Sequence, residues 1–388
     1  MERIIITLTA LLLTSLLQTV SASEPDATYY TKKVLSDSLV ADSIPGDEDP
    51  PRKLSLIRRI IRGFDRLDEN YIEPQHYVFT AMVQATNSYD FFTLSSREEN
   101  GQSISFSPDV NVKAGPYIGW KWFFGGYTFS LGHSTTAKTN FDFSIYSSQI
   151  GIDLFYRRTG SDYKLRSAEL GKGMNTQALD NAPFNGIKIG ITGASLYYIF
   201  NHGRFSYPAA FAQSTCQKIS CGSWMAGFGY TNNTLELDHE QLEKLIAERL
   251  APTPVQLDSG LMFKKVEYHD ISLSVGYAYN WVFAPNWLFS AGGSVGLGYK
   301  RSVGDMKDSN KKDFSIDNFA PNIVGRLGVV YNNTRWYAGF SAIIRSNYYR
   351  KALLSTHNTF GNVNAYIGYN FGLKKKYKPK EIENKFIF

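Results

Sequence analysis

Nine ionisable residues fall in stretches where polar and apolar side chains alternate, and all nine lie on the polar phase. They are Lys121, Asp153, Arg157, Lys188, Asp270, Lys300, Arg326, Arg335 and Arg345. Seven are cations and two are anions. Around a water-filled path such a set favours anions. In a narrow space without one, the same groups pair with each other and with carboxylates of the connecting segments, and fill it. The spacing leaves both outcomes open.

General-base chemistry would draw on six histidines: His76, His133, His202, His239, His269 and His357. His133-Ser134 sets a base type beside a nucleophile type. Adjacent strand residues point to opposite faces, so the two cannot meet if both lie in a strand. His269-Asp270 fails for the same reason. No glycine-rich phosphate loop and no metal-ligand spacing stand out, so no cofactor is expected. Four residues separate Cys216 from Cys221. In an oxidising compartment they suit a small loop disulfide, or stand as two free thiols. Zinc would want further Cys or His nearby. The formal charge of +6 is not gathered in one long basic run, which argues against nucleic acid as a partner.

The elements that must position these residues are strands. In residues 268–283, Ile271, Leu273, Val275, Tyr277, Tyr279 and Trp281 oppose Ser272, Ser274, Gly276 and Asn280. Residues 286–300, 335–348 and 359–373 alternate in the same way. A period of two sustained this long marks strands with one apolar face. The 32 glycines, 25 tyrosines and 26 phenylalanines agree with many short strands. Between Asp270 and Lys300 no formal charge occurs, which a hydropathy scan could read as a membrane helix. Pro285, the glycines and the period of two make it two strands joined at Ala284-Pro285-Asn286.

Residues 1–22 read as a secretory signal peptide: Arg3, an apolar run, then the small residues Val20-Ser21-Ala22. Residues 23–76 read as a periplasmic linker carrying a basic amphipathic helix, with Leu54, Ile57, Ile61 and Phe64 at helical spacing. Residues 77–373 hold the strands, expected at 77–90, 104–122, 125–133, 140–158, 185–200, 204–212, 222–233, 267–283, 286–300, 317–332, 335–349 and 358–373. The apolar phase shifts between Ile145 and Ile150, which suits a bulge or an extra turn. Asn201-His202-Gly203-Arg204 reads as a tight hairpin. Two long connections, 159–184 and 234–264, interrupt the strands, the second with a short amphipathic helix near Glu236–Ile246. Residues 374–388 form a basic tail.

Bulky groups crowd one face and Gly, Ser, Asn and Arg the other. A soluble barrel would fill its inside with the bulky set, so the bulky face is expected toward lipid and the small polar face toward a lumen. Trp281, Phe283 and Trp287 flank one turn, and Tyr331 and Trp336 flank another, as interface aromatics would. The expected fold is all-β: an antiparallel up-and-down transmembrane β-barrel of about twelve strands, within ten to fourteen, with a short N-terminal helix. The expected place is the outer membrane of a Gram-negative bacterium. Outer-membrane lipids and the barrel-assembly machinery are the expected partners.

Three stretches carry a resemblance. They are Tyr71-Ile72-Glu73-Pro74, then Gly151-Ile152-Asp153-Leu154-Phe155-Tyr156-Arg157-Arg158-Thr159-Gly160, then Gly276-Tyr277-Ala278-Tyr279-Asn280-Trp281-Val282-Phe283 with Asn286-Trp287. Together they resemble the domain-of-unknown-function 4421 family, exported barrel-like proteins of anaerobic Gram-negative bacteria. The resemblance implies a barrel and no catalytic residue. The functional expectation from the polar phase is a channel for small anionic solutes. A plugged barrel with a structural, assembly or surface-binding role comes second, and a lipid-modifying enzyme third.

Overall fold

The computed structural model describes residues 67–98, 101–120, 123–127, 129–131, 139–158, 162–252, 254–303, 319–351 and 353–378. The expected signal peptide and the expected basic N-terminal helix fall outside the described residues, as do Lys121, His133 and Ser134.

Eighteen strands are described. Short β1 (Ile72–Pro74) precedes the first long strand, β2 (Tyr77–Ser96). β3 (Ser103–Pro108) and β4 (Asn111–Trp120) pair with successive stretches of β2, and β5 (Phe123–Gly126) and β6 (Phe129–Ser130) return along β4. β7 (Thr139–Tyr146) and β8 (Ile150–Arg158) form a hairpin. β9 (Tyr163–Glu169) and β10 (Ala182–Pro183) belong to the long connection leading to β11 (Ile187–Ile199). β12 (Thr215–Gln217) precedes β13 (Cys221–Leu237), and the chain ends in a meander of β14 (Lys265–Ala284), β15 (Trp287–Val303), β16 (Phe319–Asn332), β17 (Trp336–Lys351) and β18 (Leu354–Leu373).

Sixteen strands join in one antiparallel sheet, and β1 pairs separately with β12. The last strand closes onto the first long one: β18 pairs with β2 from Leu354↔Ser96 to Leu373↔Tyr77. The sheet is curled, because side chains cross its concave side. Arg157 on β8 donates through Nη1 to Tyr89 O on β2 at 3.4 Å and through Nη2 to Gly361 O on β18 at 3.3 Å. Alternation follows the sequence pattern. On β14, Leu273 is 69% exposed and Trp281 54%, whereas Ala278 and Asn280 are fully buried. Glycine on the inner face makes room for rings on the neighbouring strand. A Cβ at Gly151 would lie 2.1 Å from Tyr197 Cζ, and one at Gly368 2.1 Å from Tyr337 Cζ.

Three expectations change. Residues 140–158 are two strands, β7 and β8, separated by a tight turn in which Ile150 N donates to Ser147 Oγ and Ser147 N to Ile150 O, both at 2.9 Å. The phase shift is that turn. Residues 104–122 break at Pro108-Asp109, between β3 and β4. Residues 204–212 are not a strand. They hold helix α1 (Tyr207–Phe211), started by Ser206, whose hydroxyl accepts from Ala209 N at 3.2 Å, and by Pro208 in the first turn. Asn201-Arg204 is therefore the entry to an inserted segment and not a hairpin.

Candidate functional site

The interior of the curled sheet is filled in three layers. At the end carrying the short turns, residues 200–220 fold inward as a plug. Tyr207 and Phe205 are buried against Tyr197 and Met225, and Ala210 packs with Leu288 and Val330. Hydrogen bonds of neutral groups tie the plug to the wall. Asn280 Nδ2 donates to Ser206 O at 2.8 Å and to Gln217 Oε1 at 3.1 Å. Gln213 Nε2 donates to Tyr366 OH at 2.6 Å. From outside, β1 pairs with β12 and Gln217 Nε2 donates to Tyr71 O at 3.3 Å, so the segment just before the barrel runs across the plug.

At the other end the long connections form a cap. Helix α2 (His239–Leu250) turns Leu242, Ile246 and Leu250 inward at four-residue spacing, and Asp238 caps it by accepting from Gln241 N at 3.0 Å. Leu94, Ile104, Leu165 and Phe360 join the same apolar cluster.

Between plug and cap lies a belt of buried charge. Asp153, 1% exposed, accepts from Arg326, from Arg345 at 3.2 Å and from Ser144 Oγ at 2.7 Å. Arg157 pairs with Asp142 at 2.9 Å. Lys300 donates to Asp270 at 2.5 Å and to Asn322 Oδ1 at 3.0 Å, while Asn322 Nδ2 donates back to Asp270 at 2.8 Å. Rings support the cations: Arg326 lies 5.0 Å from the Tyr197 centroid, Arg345 5.1 Å from Phe155 and Arg157 4.8 Å from Phe360. Asp90 is also buried and accepts from Tyr163 OH at 2.9 Å. Ions removed from water persist only when paired this closely.

Of the nine residues singled out by phase, six meet in this belt: Asp153, Arg157, Asp270, Lys300, Arg326 and Arg345. Lys188 and Arg335 are corrections. Lys188 is 73% exposed beside Glu236, at 3.8 Å, because the strand is covered there on its other face by the cap. Arg335 stands in the exposed turn before β17 and donates to Tyr369 OH at 2.7 Å. Cys216 and Cys221 are unbonded thiols: Cys216 Sγ faces Asn332 O at 3.4 Å, and Cys221 Sγ accepts from Asn201 at 3.1 Å. Burial pushes the Cys216 thiol up to about 12. The aromatics Trp281, Phe283, Trp287 and Tyr331 form one string at the short-turn end, with centroid spacings of 5.6, 6.0 and 5.3 Å. Trp336 packs on Tyr369 nearby, at 4.5 Å.

Sequence reasoning missed the plug hub of Gln213, Gln217, Asn280 and Tyr366. Asn280 on an inward phase and Ser206 two residues before a proline were its only signals. It also missed Ser346 Oγ, 2.7 Å from His357 Nε2 across the β17–β18 pairing. Thr359 Oγ1 shares that nitrogen at 3.2 Å, and among the described residues no carboxylate orients the ring.

The sequence pattern of the family described as a domain of unknown function (DUF4421) matches residues 66–371. The chain belongs to this family. No curated protein matches this DUF4421 chain in sequence. Among solved structures it is similar to the outer membrane protease OmpT from Escherichia coli, at 8% identity, covering 77% of this chain and 98% of that one, with a TM-score of 0.33. A bacterial polysaccharide outer membrane secretin aligns at 12% identity over 76% of this chain and 99% of its own, with a TM-score of 0.25. The outer membrane protein OprG from Pseudomonas aeruginosa aligns at 8% identity over 77% and 98%, with a TM-score of 0.20. Overlaps this loose bear on neither activity nor ligand.

Proposed function

We propose that this DUF4421 protein is a plugged barrel of the outer membrane, spanning the lipid with its apolar outer face and meeting partners at its loop cap. The outward row of Leu273, Val275, Tyr277, Tyr279 and Trp281 supports the membrane placement, since soluble monomers rarely expose so continuous an apolar surface. The observation that carries the plugged reading is that the chain fills its own interior. A hydrogen-bonded plug closes one end, an apolar cap the other, and the cations between them are held by carboxylates. Paired cations do not offer the free positive lining that anion passage requires.

A second reading, passage of small anions after plug displacement, is favoured by one feature. The bonds from plug to wall are between neutral groups, which cost less to exchange for water than buried ion pairs. Planar-bilayer conductance of the refolded protein under a salt gradient separates the two. Silence from a folded barrel supports the plugged role. Discrete steps with an anion-favouring reversal potential would replace it with the passage reading.

A further inference from the structure

A space among the described residues of the sheet is not filled by side chains. A cavity of about 80 Å³ beside the belt is walled by β11, β13, β14, β15 and β16, with Arg326 in its lining. That is room for several waters, each of which needs roughly 10–15 Å³ by this measure. The wall is made of small residues. Ser195, Ser272, Ser274 and Ser294 line it, and among the described residues their hydroxyls have no hydrogen-bond partner. The glycines beside them cannot be enlarged: a Cβ at Gly229 would stand 2.7 Å from Ser272 Oγ, and one at Gly227 2.8 Å from Ser274 Oγ.

Small residues alone would define only a gap. Arg326 gives the gap a chemistry. It is 6% exposed, it lines the cavity, and its buried Nε–H donates to no acceptor among the described residues. Its Nη2 already serves Asp153, which it shares with Arg345. Two guanidinium groups therefore balance against one carboxylate at this side of the belt. The other carboxylates nearby are engaged elsewhere: the more exposed Asp142 with Arg157, and the buried Asp270 and Asp90 with Lys300 and Tyr163. A guanidinium can only donate, so the missing partner of Arg326 is an acceptor. Local excess of positive charge favours an acceptor that is itself negative.

We propose that this cavity binds one small monovalent anion, of the size of chloride, bromide, nitrate or formate, between the Arg326 guanidinium and the serine hydroxyls. Its volume of about 80 Å³ suits an ion of that size. The site differs from a conduction path: it lies between plug and cap, and occupancy needs neither end to stand open permanently. Bound anion would accept from the Nε–H that the folded chain leaves unpaired, and so bind the folded state in preference to the unfolded one.

The test is the purified barrel in detergent, equilibrated in gluconate and titrated with nitrate, formate or bromide, with thermal unfolding as one readout and bromide anomalous scattering in crystals as the other. The expected result is a saturable rise in Tm with the small anions beyond that given by gluconate at equal ionic strength, and a bromide peak beside Arg326. Ser274→Ala combined with Ser294→Ala should raise the half-saturating nitrate concentration several-fold while leaving the barrel folded. Arg326→Gln, which leaves Asp153 paired one-to-one with Arg345, should abolish saturation. Equal Tm responses to nitrate and gluconate, or cavity density refining as water in bromide-soaked crystals, would overturn the proposal. Because neither readout involves current, its failure is separate from the outcome of the conductance experiment.

Discussion

Asn280 on the barrel wall donates through Nδ2 to Gln217 Oε1 of the plug at 3.1 Å, and the same nitrogen reaches Ser206 O at 2.8 Å. One wall amide thus ties both ends of the segment that carries α1. Gln217 in turn accepts from Ser206 N at 2.9 Å and donates to Arg204 O at 2.6 Å, so the plug is folded around the side chain that Asn280 holds. Replacing Asn280 by Leu leaves the buried Ser206 O without that donor and Gln217 Oε1 with Ser206 N alone, a loss worth about 1–3 kcal/mol. We expect Asn280→Leu to lower urea stability by about that much, and to convert a silent barrel into one with intermittent conductance. A variant equally unstable but still silent would mean that the plug does not leave as a unit.

The Cys216 thiol reports on the same event. Burial raises it to about 12, so at pH 8 only about one molecule in ten thousand carries the thiolate that reacts. Alkylation of Cys216 in the folded protein should be slower by orders of magnitude than in urea, and the Asn280→Leu variant should recover much of the lost rate. Mass spectrometry of the modified peptide measures both. Rapid labelling of Cys216 in the unaltered protein would show that the plug already samples an outward position.

The belt makes a sharper energetic claim. Asp153 holds Arg326 and Arg345 together, so Asp153→Ala strands two buried guanidiniums, at a cost of about 3–5 kcal/mol. Ser144→Ala removes one neutral donor from the same carboxylate and should cost about 1 kcal/mol. Equilibrium unfolding from lipid vesicles should rank them in that order. Similar losses for the two would mean that water reaches the belt and screens it.

The strands after residue 265 were legible because each carries one uninterrupted face. Leu273 to Trp281 and Val363 to Phe371 keep their phase from end to end, and nothing but a strand satisfies that pattern. Six of the nine inward ionisable residues followed from the same parity. The plug was not legible. Tyr207, Ala209 and Phe211 alternate as a strand would, and only the Ser206–Pro208 start favours a helix. Lys188 and Arg335 were misjudged for a related reason. Parity assigns a face, but it does not say where along a strand the interior stops, and that limit is set by the cap and by the turn.

The cap carries its own pH dependence through Asp109. Its hydrogen bond from Lys164, at 2.6 Å, holds the carboxyl below the ordinary value, and Arg166 at 3.0 Å adds to this. A carboxyl lowered on folding stabilises the fold above its unfolded pKa, and the contribution fades as pH falls through the folded value. The window therefore opens below about pH 4. Asp109 is well exposed, so solvent screening keeps the effect small and local. Hydrogen-exchange protection of Tyr163–Glu169, taken relative to the intrinsic rate at each pH, should fall between pH 5 and pH 3 more than protection in β14, and Asp109→Asn should remove that difference by leaving β9 equally weakly protected at both values. An acid response in β9 that persists in Asp109→Asn would place the titrating group elsewhere, with Asp90 beneath Tyr163 as the next carboxyl to replace.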